Sequence, residues 1–165
     1  MSRRATTVVL ALLALSVLPV AGRAQSGNAG AATETTAHQI LSGDQRGAVE
    51  NNHEIVRNAS ELNQLLGRIF SGQAPPQAPD IDFSQQVLVF YSHPSTVNAG
   101  DRIYVRSGKL AHGVLHVNVE IAQPGESCLN TNSLTAPYAL AALPFPAIDV
   151  KRAEFSVSHK SYPCR

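Results

Sequence analysis

Leu115-His116-Val117-Asn118-Val119-Glu120-Ile121 alternates apolar and polar residues without a break. Successive side chains of a strand point to opposite faces, so this stretch predicts a strand with one buried and one wetted face. Its neighbours are of the same kind. Ile103 and Val105 alternate with Arg102, Tyr104 and Arg106, and Ser107-Gly108-Lys109 between the two runs reads as a turn. Gln86-Val87-Leu88-Val89-Phe90-Tyr91 is continuously apolar, as expected of a central strand covered on both faces. Residues 138–143 form a further apolar strand, which Pro144-Phe145-Pro146 ends. Ala153, Phe155 and Val157 alternate with Glu154, Ser156 and Ser158 in a last one.

One helix precedes these strands. After a short strand at His53-Glu54-Ile55-Val56-Arg57, Asn58 is a good N-cap and Glu61 completes a capping-box pattern. Leu62, Leu65, Leu66, Ile69 and Phe70 then fall on one helical face, the pattern of core packing. Residues 71–80 are a proline-rich connector. The expected fold is α+β, mainly β: one capped amphipathic helix on an antiparallel sheet or small sandwich of about five or six strands.

The chain has 165 residues and a formal net charge of +1, which allows one domain with a real core and no basic field for nucleic acid. Arg3 and Arg4, an apolar run over residues 7–20 and the small residues Ala21, Gly22 and Ala24 form a signal peptide, with cleavage after Ala24. An apolar run of about 14 residues is short of the roughly 20 that span a bilayer, so no membrane anchor is expected after its removal. Residues 25–51 are small and polar and read as a flexible leader, with the domain at 52–165. Export to the periplasm or the medium makes Cys128 and Cys164 an expected disulfide.

Motifs that carry chemistry are few. His112 and His116 would share a helix face, but in a strand they stand roughly 13 Å apart, too far for one metal. Asp80 and Asp82 read as capping or solvated acids at a strand entrance. There is no Gly-x-Ser-x-Gly, Ser-x-x-Lys or His-Glu-x-x-His, and the glycines are not spaced as a phosphate loop. No cofactor and no metal are expected. A nucleophilic Cys128 helped by a histidine would have to be reduced, against the disulfide. The polar segment from Pro124 to Pro137 remains. Ser127, Asn130, Thr131, Asn132, Ser133 and Thr135, with Tyr138 behind them and Asn98 and Asp101 from the preceding loop, can serve their own backbone or a partner protein.

Ile81-Asp82-Phe83 leading into Val87–Tyr91, the strands at Ile103–Val105 and Leu115–Ile121, the Pro124-to-Cys128 corner and Thr135-Ala136-Pro137-Tyr138 resemble the PrcB family. That family is typified by the small exported accessory subunit of a bacterial subtilisin-like protease complex. The strand and helix at residues 55–70 are placed as in that group, and the resemblance covers roughly residues 53–145. Where members carry a Thr-Gly-Gly-Tyr-like turn, this chain has Val97-Asn98-Ala99-Gly100-Asp101-Arg102 and keeps only Gly100. The resemblance implies a cell-envelope module without catalytic residues that binds or stabilises an extracytoplasmic protease. A secreted protease inhibitor and a cysteine-dependent hydrolase are the rival readings.

Overall fold

The computed structural model describes residues 33–44, 52–71, 73–93, 96–98, 100–128 and 132–164. The signal peptide expected at residues 1–24 lies outside them. The fold is α+β and mainly β. Two four-stranded sheets and one helix make three layers, and the alternating strand quoted above lies inside one sheet. That strand, β7 (Val114–Pro124), pairs antiparallel with β6 (Arg102–Ala111) and parallel with β10 (Arg152–Tyr162), while β1 (Glu34–Thr36) borders β6. The second sheet runs β2 (His38–Gly43), β9 (Tyr138–Leu143), β4 (Val87–Ser92) and β3 (His53–Val56).

The sequence pattern sets the layers. Leu115, Val117, Val119 and Ile121 of β7 and Ile103 and Val105 of β6 pack on Val87 and Val89 of β4 and Ala139, Ala141 and Leu143 of β9. The other faces of β4 and β9 offer Leu88, Phe90, Leu140 and Ala142 to Leu62, Leu65, Leu66 and Ile69 of helix α1 (Ala59–Ile69). Continuous apolarity in β4 and β9 is thus the mark of strands buried on both faces. The helix starts as its sequence predicts. Asn58 Oδ1 accepts from the Glu61 amide at 2.9 Å, and Glu61 Oε2 reaches back to the Arg57 amide at 2.7 Å. Asp82 closes the turn before β4 by accepting from the amide of Ser84 at 2.9 Å and from its hydroxyl at 2.6 Å.

Three expectations are corrected. The flexible leader assigned to residues 25–51 is not one throughout, since residues 34–36 pair with β6 and residues 38–43 with β9. Edge strands are held by backbone pairing and need little apolar content. Here Ala37 at the crossing packs on the inter-sheet core, and Ile40 and Leu41 pack on the helix-side core. The strand count is ten rather than five or six among the described residues. Ser107-Gly108-Lys109 is also no turn: β6 continues through it, with a register shift between Val105 and Ser107. The glycine there is a packing residue, because a Cβ on Gly108 would stand 2.6 Å from Leu143 Cδ1. The turn falls at His112-Gly113, between the paired Ala111 and Val114. Both residues have positive φ, 51° and 80°, as a two-residue hairpin loop of matching twist requires.

Candidate functional site

The chain crosses between the sheets twice at one end of the sandwich. It leaves β4 at Ser92 and enters β6 at Arg102; it leaves β7 at Pro124 and enters β9 at Tyr138. Both crossings contain a short strand, β5 (Thr96–Asn98) and β8 (Asn132–Thr135), and these pair antiparallel with Thr96 opposite Thr135 and Asn98 opposite Asn132. Two polar segments far apart in sequence thereby become one ribbon.

The ribbon's base is tied from several sides. The His93 amide donates to the Pro137 carbonyl at 3.0 Å, and the Gly125 amide to the Tyr162 carbonyl at 2.9 Å. The Cys128 amide closes a turn on the Gly125 carbonyl at 2.9 Å. Cys128 and Cys164 are bridged with their Cα atoms 5.3 Å apart, which joins this corner to the end of β10. The Tyr162 hydroxyl donates to the Gly100 carbonyl at 2.8 Å, linking β10 to the other crossing as well. Gly100 has φ of 130°, and a Cβ there would meet Pro124 Cγ at 2.7 Å, so glycine is fixed at this position by both conformation and space.

The candidate residues separate into groups. Ser127 is exposed in the turn before Cys128. Asn132 and Ser133 lie on β8 and Asn98 on β5, all in the paired ribbon. Asn130 and Thr131 lie outside the described residues. Thr135, Tyr138 and Asp101 are only 7%, 5% and 8% exposed, so they shape and support the surface more than they present it. Asp101 and Tyr138, with Ser42, Asp44, Arg102 and Tyr104, line an open hollow of about 450 Å³ between the β2 and β6 edges. Burial, and then the charge of Asp44, push the Tyr138 hydroxyl above its ordinary pKa and keep it neutral.

Sequence reasoning missed Tyr162 as part of this corner, and with it the contact that Arg102 makes there. The Arg102 guanidinium stands 5.7 Å from the Tyr162 ring centroid. Tyr162 is two residues from Cys164, which places it near the staple, but no local pattern shows that its hydroxyl reaches Gly100. His93 and His159 meet edge to face, with ring centroids 6.4 Å apart, and the other histidines lie elsewhere. His112 occupies the hairpin turn, while His116 on β7 faces Glu154, Nδ1 to Oε2 3.3 Å. Among the described residues no three His, Cys, Asp or Glu side chains are grouped to hold a metal ion, and no helix is long and apolar enough to cross a membrane. Comparison of the chain with family models, curated proteins and solved structures returns no match.

Proposed function

We propose that this chain is an exported, non-enzymatic binding module whose contact surface is the β5–β8 ribbon with the turn at Ser127, and that its partner is an extracytoplasmic protease. The observation that carries the proposal is the joining of the two crossings: segments rich in polar residues pair strand to strand into one backbone ribbon, tied at the base by a disulfide and Tyr162. Ordering such a surface before binding lowers the entropy lost on binding. The resemblance to the PrcB family supplies the protease as partner class and an accessory role. The disulfide leaves Cys128 without the thiolate that a cysteine hydrolase needs.

The test is incubation of the purified mature protein with subtilisin-like and cysteine proteases, following activity and half-life. A longer half-life or higher activity of a subtilisin-like protease is expected. Inhibition at stoichiometric ratio supports the inhibitor reading instead, and no effect together with no complex overturns both. A Ser127→Arg/Ser133→Arg variant should lose the effect while keeping its fold.

A further inference from the structure

β10 is the last strand of its sheet, and among the described residues its outer edge pairs with no other strand. It is long, eleven residues or about 35 Å, and paired with β7 along its whole length without a register shift, so the free edge is continuous backbone held in place. The bridge at Cys164 secures its far end. Such an edge is a ready template for another strand.

Its sequence selects the strand that fits. Folded back on itself antiparallel about Val157, Arg152-Ala-Glu-Phe-Ser-Val-Ser-His-Lys-Ser-Tyr162 matches its own copy. Glu154 falls opposite Lys160, Phe155 opposite His159, and Arg152 opposite Tyr162, each pair occurring twice across the twofold axis. The parity is right, because directly opposed residues of an antiparallel pair share a face. Glu154 and Lys160 both belong to the outer face, where Glu154 neighbours His116 and Lys160 lines a hollow with Arg106 and Glu120. Val157, at the axis, is one of two large apolar residues left exposed among the described residues, at 40%. An unrelated peptide would give no reason for this self-complementarity.

We infer that β10 is a homodimerisation edge: two copies pair β10 to β10 antiparallel, with Val157 opposite Val157, making one continuous eight-stranded sheet. The contact is isologous and closes on itself, so it consumes the β10 edge of both copies and leaves a joined sheet bordered by the short β1 at each end. It lies apart from the ribbon's two strands and goes beyond the protease-binding proposal.

The test uses the purified, disulfide-intact mature protein. Light scattering at micromolar concentration should give twice the chain mass. Opposed Cα atoms in an antiparallel pair are about 4.5–5.5 Å apart, within disulfide reach. Val157→Cys should therefore give a covalent dimer on non-reducing gels with the crosslink mapped to position 157, and Ile148→Cys, 88% exposed in the wild type, should not. Lys160→Glu places like charges opposite at both ends and should weaken the dimer by about tenfold, while the swap Glu154→Lys/Lys160→Glu restores it. A monomer at every concentration, a dimer indifferent to Lys160→Glu, or co-purification with a different chain on this edge would overturn the inference.

Discussion

Replacing both Cys128 and Cys164 by serine tests how the ribbon corner is held. The bridge spans a sequence separation of 36 residues. The chain-entropy relation for a closed loop of that size gives about 4 kcal/mol at 25 °C, all of it acting on the unfolded chain. The folded state should persist, because β10 keeps its full register with β7 and Tyr162 keeps its bond to Gly100. The expected result of urea unfolding is a midpoint lower by about 2 M, for a slope near 2 kcal/mol/M, with near-native circular dichroism before the transition. Tyr162→Phe is the companion. It removes only the 2.8 Å hydroxyl bond to Gly100 and should cost about 1 kcal/mol. A double-serine variant within about 1 kcal/mol of the wild type would refute the claim that the bridge is a principal constraint on this corner.

Leu65→Ala, at a side chain with no exposure between α1 and the β4–β9 pair, should cost about 2–5 kcal/mol by denaturant unfolding. Gly108→Val should cost about 1–3 kcal/mol by denaturant unfolding, because its Cβ meets Leu143. Hydrogen bonds from Ser107 and Asn118 hold Glu34 below its ordinary pKa, and Arg106 does the same for Glu120. Carboxylates depressed in the fold stabilise it above their unfolded pKa and cease to do so as pH falls through the folded one, so urea midpoints should decline below about pH 4. Tyr91 and Tyr138 are raised by burial, so the unfolded chain ionises first and midpoints should also decline above about pH 10.

The parts legible in the sequence are those where one periodic signal decides. Helix α1 announces its cap and its buried stripe, β7 its alternation, and β4 and β9 their unbroken apolarity. The parts missed are held by partners that a local pattern does not contain. β1 and β2 carry few apolar residues because they are edges, fixed by pairing with β6 and β9. Gly108 resembles a turn residue because packing against Leu143 and a tight turn both require a missing Cβ, and only the position of Leu143 separates the two. At the candidate site, residue type showed which segments are polar. Their pairing at Thr96–Thr135 and Asn98–Asn132 needed the two sheets to bring them together. Thr135, Tyr138 and Asp101 are surface residues by chemistry and yet are buried, Tyr138 within the helix-side core.

The claim that two distant crossings act as one binding surface is tested most directly by amide hydrogen exchange on the protein alone and in complex with a subtilisin-like protease. Added protection is expected over residues 96–98 and 132–135 together, with helix α1 unchanged. Protection confined to one crossing, or centred on α1, would contradict it.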